Sequence, residues 1–181
     1  MDIWTNLGKF SRLETQRLWL RPFNFEDSND FYAITHNPDN LAFIFPTQAS
    51  RSESDYLLVH YFMKEPLGTW AIEDKTSQHM LGAIRFENLN LSKGYAELGY
   101  FINQEYWGQG LATESLKTLS FLAFQEFGLK TLSIITHKEN IASQRVAQKA
   151  GFKLVRQFRG SDRYSHKMRD YLEFHLKAGD Q

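Results

Sequence analysis

Apolar positions recur along this chain with two different periods, and the switches between them mark its elements. The run Ala96-Glu97-Leu98-Gly99-Tyr100-Phe101-Ile102 has the alternation and aromatic content of a strand. Just beyond it Ala112, Leu116, Leu119, Ala123 and Phe127 fall at three- and four-residue spacing, one buried helix face, and Gly128 ends that helix as a left-handed cap. The same reading gives a strand from Arg17 to Arg21, ended by Pro22. A helix follows from Glu26 to His36, with Phe31 and Ile34 inward, and stops before Asn37-Pro38. Ser52 and Asp55 form a capping box for a second helix carrying Leu58, Tyr61 and Phe62 on one face. Strands come next at Trp70–Glu73, Leu81–Asn88 and Tyr95–Ile102. After the long helix there is a strand at Thr131–Thr136, a helix at Ile141–Ala150, and final strands at Lys153–Phe158 and Arg169–Leu176.

That order predicts an α/β fold with a mixed central sheet of about seven strands and about four helices. An antiparallel meander meets a parallel strand–helix–strand unit whose crossover is right-handed. No internal repeat, low-complexity tract or long linker divides the 181 residues, so a single domain over 1–181 is expected.

The junction Tyr106-Trp107-Gly108-Gln109-Gly110-Leu111-Ala112 carries the first chemical signal. A glycine-rich turn that opens a helix gathers unpaired backbone N–H groups at one point, where the helix dipole adds partial positive charge. A phosphate or diphosphate is the expected occupant. The plainer alternative is that Gly108 and Gly110 only let the chain turn. No Gly-Lys-Ser/Thr follows, and no Gly-x-Gly-x-x-Gly with a later acidic residue, which counts against nucleotide kinases and dinucleotide dehydrogenases. A phosphoryl-transfer enzyme using this turn would bind nucleotide with magnesium.

A second constellation, Asn140-Ile-Ala-Ser143-Gln-Arg-Val146-Ala-Gln-Lys-Ala150-Gly151-Phe152, follows the strand at Thr131–Thr136. With the glycine turn it resembles the GNAT superfamily of N-acetyltransferases, in the branch typified by the ribosomal-protein acetyltransferases RimJ and RimL. The opening Leu13-Glu-Thr15-Gln-Arg17-Leu18-Trp-Leu20-Arg21-Pro22 is similar to the start of that branch, so the resemblance runs from about residue 12 to about residue 177. It implies a single-domain GNAT fold whose fourth and fifth strands splay to form the acetyl-CoA cleft. The implied activity is direct transfer of an acetyl group from acetyl-CoA to a primary amine, either a protein N-terminal amine or a small amine metabolite. The other class of function on this fold is a non-catalytic CoA-binding sensor or protein-interaction module. Relatives often pair, so a homodimer is an implied assembly.

Carried over residue by residue, the family's diphosphate loop falls on Trp107, Gly108, Gln109, Gly110, Leu111, Ala112 and Thr113. Trp107 departs from the pattern, since the family usually has Arg or Gln there, and a side-chain donor to phosphate is then lost. Backbone N–H groups of Gln109 to Thr113 are expected to hold the diphosphate. Backbone N–H groups near Phe101 and Ile102 are the implied oxyanion donors, Asn140 the pantetheine contact, and Ser143 both a cofactor contact and the proton donor to the leaving sulfur. Asn140 is also a good N-cap, and Ser143 a good first-turn serine bonded to backbone.

Two carboxylates stand as the general base. Glu97 shares a strand face with Gly99 and Phe101. Asp162 lies in the loop Arg159-Gly-Ser-Asp162-Arg-Tyr164. Structural or solvent-facing roles are the alternative for each. Gly99 marks a bulge or close backbone approach, or only a packing adjustment. His137 closes its strand as a possible proton carrier or a surface polar group. Phe43, Phe45 and Pro46 point to an apolar acceptor pocket, or else tuck into the core. Six basic residues from Lys153 to Arg169 face a single acid, Asp162, and could meet the CoA 3′-phosphate or only line a solvated hairpin.

Bulk composition narrows the field further. Lys plus Arg equals Asp plus Glu at 21 each, so no global field draws the chain to nucleic acid or an anionic membrane. Absence of cysteine excludes a disulfide scaffold, a thiolate metal site and an acetyl-cysteine intermediate, so transfer must be direct. The six histidines show no metal-ligand spacing, and no metal is expected. No basic leader opens the chain and no stretch nears the roughly 20 apolar residues of a membrane span, which leaves the cytoplasm as the expected compartment.

Overall fold

Alternation decides which faces are buried from the first strand onward: Leu18 and Leu20 are fully covered, while Trp19 between them is not. A computed structural model describes residues 2–40 and 43–180. In chain order the elements are α1 (Ile3–Lys9), β1 (Leu13–Glu14), β2 (Leu18–Arg21), α2 (Ser28–Thr35), α3 (Arg51–Leu57), β3 (Thr69–Asp74), β4 (Met80–Asn90), β5 (Tyr95–Ile102), α4 (Leu111–Gln125), β6 (Thr131–His137), α5 (Ile141–Lys149), β7 (Lys153–Ser161) and β8 (Met168–Lys177). The eight strands take the order β1-β2-β3-β4-β5-β6-β8-β7. β5 and β6 run parallel, whereas β1–β2, β2–β3, β3–β4, β6–β8 and β7–β8 are antiparallel, the mixed sheet expected. β1 and α1 are the two elements beyond the sequence reading. One is two residues long, and the other buries only Leu7, so neither has a period to detect. No helix among the described residues is long and apolar enough to cross a membrane.

The chain divides into two compact units, Met1–Arg85 with Tyr100–Ser115 and Phe86–Gly99 with Leu116–Gln181. In the first, an aromatic core gathers Phe23, Phe31, Phe45, Phe62 and Phe101 with Ile34 and Leu58. Phe31 and Phe62 meet edge to face at 5.3 Å, and Phe101 meets Phe45 at 5.7 Å and Phe62 at 5.9 Å. Phe45 is thus a core residue rather than a pocket wall, while Phe43 is 37% exposed. Arg21, buried, is held by both Asp27 oxygens at 2.9 and 2.7 Å, and Asp27 also takes the Asn24 N–H. Such a pair costs desolvation but fixes the turn after β2.

The helix start differs from the sequence reading. Ser50, not Ser52, caps α3, in a box with Glu53. Asp55 instead accepts from Ser28 on α2. Beyond α3 the helix widens to a π-helical stretch, Leu58–Met63, with Lys64 N–H reaching the Val59 carbonyl five residues back. The wider turn keeps Leu58 and Phe62 buried but carries Tyr61 out to 59% exposure, against the single face expected.

β4 meets the end of β5 through a glycine the sequence reading passed over. The carbonyl oxygen of Phe101 lies 2.0 Å from where a β-carbon on Gly82 would sit. Beyond it the Asn103 N–H donates to the Leu81 carbonyl at 2.7 Å, and the Gln104 N–H to the buried Asn40 side chain at 2.5 Å. Backbone contacts therefore fix the position of Phe101 and Ile102.

In the second unit Leu116, Leu119 and Ala123 of α4 are fully buried, and Phe127 meets Phe86 edge to face at 6.1 Å. Gly128 has φ 69°, and Leu129 N–H reaches back past it to the Ala123 carbonyl, six residues earlier, at 3.0 Å, closing the helix end. The expected helix face and its glycine stop are both observed. The β5–β6 ladder spans Tyr95, Ala96 and Glu97 against Thr131, Leu132 and Ser133 and goes no further. β6 continues to His137 and remains paired to β8 along its full length. The parallel strands part after Glu97 and Ser133, the splay anticipated from the sequence.

Gly82→Ala should lower unfolding stability by about 1–3 kcal/mol in denaturant titration, because the new methyl meets backbone that cannot rotate aside. Gly8→Ala in α1, where nothing lies within 4 Å of the new β-carbon, should instead raise it by about 0.5–1 kcal/mol.

Candidate active site

Each compact unit contributes its own set of the residues singled out from sequence. In the first unit, the chain leaves β5, makes a short 3₁₀ turn over Gln104–Tyr106, and reaches Gly108 and Gly110, both at φ 77°. An L side chain at φ 77° is strained, so both positions favour glycine. A β-carbon on Gly108 would meet nothing within 4 Å, so that face of the loop is open, and residues 107–110 are exposed. The first intrahelical bond of α4 runs from Glu114 N–H to the Gly110 carbonyl at 3.0 Å. The N–H groups of Leu111, Ala112 and Thr113 precede that bond and have no partner within the helix. An exposed, glycine-lined loop opening a 15-residue helix fits a diphosphate without any side-chain donor.

Trp107 takes another role. Its indole N–H donates to the Ile102 carbonyl at 2.6 Å, closing the loop back on the end of β5. That donor is used within the protein, so none is left on this side chain for a phosphate. Phe101 contributes its ring to the core, and what it can offer a ligand is backbone. Because the peptide is trans, the Ile102 N–H projects opposite to the Phe101 carbonyl that rests over Gly82, and so away from β4.

Behind the loop stands a group that the sequence reading did not assign. Glu114 accepts from the Thr15 hydroxyl at 2.6 Å, from the Arg17 N–H at 3.0 Å and from Arg17 Nε at 2.9 Å. Arg17 Nη1 donates to the Gln109 carbonyl at 2.9 Å. These bonds hold the Glu114 carboxyl below the usual carboxylate range even though burial works the other way. The available signal was an acid in the first turn of a helix reserved for an anion, which calls for a counter-cation.

In the second unit Asn140 caps α5, its side chain accepting the Ser143 N–H at 3.1 Å. The capping role proposed as the alternative is therefore real, and it sets Ser143 one turn into the helix, partly buried. Glu97 is partly buried on β5, two residues beyond Tyr95, whose hydroxyl donates to Ser133 at 2.7 Å. Burial, and then the neighbouring Glu87 carboxylate, push the Glu97 carboxyl up, with Arg163 opposing. Gly99 explains how Glu87 comes so near: a β-carbon there would lie 2.2 Å from a Glu87 carboxylate oxygen. The glycine makes room for a side chain, and the bulge alternative is not needed.

Asp162 sits at the tip between β7 and β8. It accepts N–H bonds from Tyr164 at 3.0 Å and Ser165 at 2.7 Å, and the Ser165 N–H is the main cause that pulls its carboxyl down. Its other oxygen lies 3.5 Å from His137 Nε2. Burial lowers the His137 imidazole, with Asp162 opposing, and its ring packs on Tyr171 at 4.9 Å. Of the six basic residues in this hairpin, Arg156 is engaged by Glu173 and lies over the Phe158 ring at 4.5 Å. Among the described residues no group of three His, Cys, Asp or Glu side chains is arranged to hold a metal ion.

Comparison with known proteins bears on the same residues. The family described as Acetyltransferase (GNAT) domain matches residues 17–153. The uncharacterized N-acetyltransferase YoaA of Bacillus subtilis is 29% identical over 147 residues, covering 79% of this chain and 83% of that one. A GNAT-family acetyltransferase from Bacillus anthracis shares the fold with TM-score 0.81 and 19% identity, over 92% of this chain and 98% of that one. RimL, a ribosomal L7/L12 alpha-N-protein acetyltransferase solved with coenzyme A, superposes with TM-score 0.76 and 17% identity, over 94% of this chain and 99% of that one. With the family matched across most of its length and a glycine-opened helix fitted to a diphosphate, this chain belongs to the GNAT acetyltransferases, acyltransferases that take acetyl-CoA as co-substrate.

Proposed function

We propose that this enzyme transfers the acetyl group of acetyl-CoA directly to a primary amine, a protein N-terminus or a small amine metabolite. The observation that carries the proposal is the open N-terminus of α4, with Gly108 and Gly110 in left-handed conformation and the loop exposed. When bound, acetyl-CoA would supply an activated thioester carbonyl and a thiol leaving group. The N–H groups of Gln109 to Thr113 would hold its diphosphate, with Asn140 and Ser143 along the pantetheine arm and the Ile102 N–H as oxyanion donor. Ser143 would return a proton to sulfur.

Between the two carboxylates the structure favours Glu97 as base. A proton acceptor works best when its pKa lies near the working pH, and burial beside Glu87 moves Glu97 in that direction. Asp162 is moved the opposite way and is committed to the turn at the hairpin tip, where it faces His137. Its role in this reading is to hold that tip.

Acetyl-CoA at about one hundred times its dissociation constant should stabilise the folded protein by about 2.7 kcal/mol, measured as a rise in melting temperature. Thiol release should then follow with at least one member of a panel of N-terminal peptides and small amines. Absence of both effects would overturn the proposal, and binding without release from any amine would leave a CoA-binding module.

Glu97→Gln should cut kcat by about a hundredfold in the same thiol assay. The same variant has a stability signature of opposite sign. An acid whose folded pKa is raised is most favourable when protonated, so wild type loses stability as pH rises from the ordinary glutamate range through the raised value. Glutamine escapes that loss. Melting curves should show the variant gaining on wild type as pH rises above that range, with the advantage vanishing in acid.

A further inference from the structure

We infer that Arg17 is a positioning residue for acetyl-CoA: by holding the Gln109 carbonyl and the Glu114 carboxylate behind the glycine loop, it aims the loop's N–H groups at the diphosphate. This rests on the reading that the N-terminus of α4 receives that diphosphate. Arg17 touches neither reacting atom and acts through the backbone.

The geometry follows from the planar peptide. No peptide among the described residues is cis, so the Gln109 carbonyl and the Gly110 N–H point in opposite directions within one plane. Arg17 Nη1 draws that carbonyl to 2.9 Å, and the Gly110 N–H is thereby turned to the other side. Gly108 and Gly110 both sit at φ 77°, so the loop is built from residues of wide conformational freedom and needs an outside restraint to keep one orientation. Arg17 Nη2 lies 3.6 Å from the β-carbon position of Gly110, so the guanidinium packs against the loop itself.

Charge adds a second effect. Glu114 lies in the first turn of α4, where its own charge would repel an incoming diphosphate. Arg17 binds it through both Nε and its backbone N–H, and Thr15 supplies a third donor. A planar guanidinium can serve a carboxylate and a carbonyl at once, whereas a lysine ammonium on a flexible stem cannot fix both directions. Exposed ion pairs contribute little to global stability, and the Arg17 side chain is 44% exposed. Orientation of the loop, rather than stability of the fold, is where its loss should register.

The experiment compares two acetyl donors in thiol-release assays on the full-length enzyme: acetyl-CoA, and S-acetylpantetheine, which lacks the diphosphate. Arg17→Met should raise KM for acetyl-CoA by about tenfold or more while kcat at saturation stays within about twofold, a loss of uniform binding. The ratio of kcat/KM for acetyl-CoA to that for S-acetylpantetheine should fall by the same factor, and Arg17→Lys should fall between wild type and Arg17→Met. Equal losses with both donors, or an unchanged KM for acetyl-CoA, would overturn the inference. Should Arg17→Met fail to fold, Arg17→Lys carries the test alone: it should lower the same donor ratio, and an unchanged ratio would count against the inference. Wild-type enzyme that releases thiol from neither donor would instead sink the underlying reading, and this one with it.

Discussion

Every α-helix begins with N–H groups that its own hydrogen-bond ladder cannot reach, and the loop that leads into those of α4, residues 107–110, is exposed. Much else in the first unit can be understood as serving that arrangement. Gly108 and Gly110 adopt left-handed backbone to bring the chain into the helix. Trp107 anchors the near side of the turn on the Ile102 carbonyl, and Arg17 anchors the far side through Gln109 and Glu114. Polar bonds made by neighbouring side chains thus hold open a site made of backbone. A site of this kind, as proposed above, would bind phosphate by dipole and direction and would take no donor from Trp107, whose N–H is spent on the Ile102 carbonyl.

The second unit places its chemistry by a different constraint. β5 and β6 pair over three residues and then part, although β6 stays bonded to β8 to its end. The end of β6 keeps its other neighbour, Ile134 to His137 staying in register with Phe174 to Tyr171. Near the last paired residue, the charges of Glu87, Arg163 and Glu173 all bear on the Glu97 carboxylate. Gly99 contributes by omission: a β-carbon there would take the space that the Glu87 side chain occupies. Burial of Glu97, and then repulsion from Glu87, disfavour the charged form of Glu97, a cost to folding.

Asp162 illustrates the opposite case. Two backbone N–H groups satisfy one of its oxygens, so its charge is stabilised and its basicity reduced. Its place in the loop between the last two strands made it an alternative to Glu97 on sequence grounds. Hydrogen bonds that exist only once the hairpin tip has folded separate the two.

Periodic burial made most of the fold legible in the sequence. The face Leu116, Leu119, Ala123 and Phe127, its Gly128 stop, the seven longer strands and the parallel crossover all follow from local spacing and turn chemistry. So did the glycine turn before α4 and the Asn140 cap, whose residue types are demanded by backbone geometry within a few positions. What sequence left open depends on groups far apart along the chain: Arg17 meeting Gln109 and Glu114, the Phe101 carbonyl over Gly82, Glu87 filling the space above Gly99, and Tyr61 turned outward by a π-helical stretch. Spacing along one element carries no information about which remote side chain arrives to complete it, nor about a carboxylate's pKa, which is set by what surrounds it after folding. The chain's own pattern determined the elements, their order and the family. Only tertiary packing decided that burial pushes the Glu97 carboxyl up while backbone N–H groups pull Asp162 down, and that Arg17 meets Gln109 and Glu114.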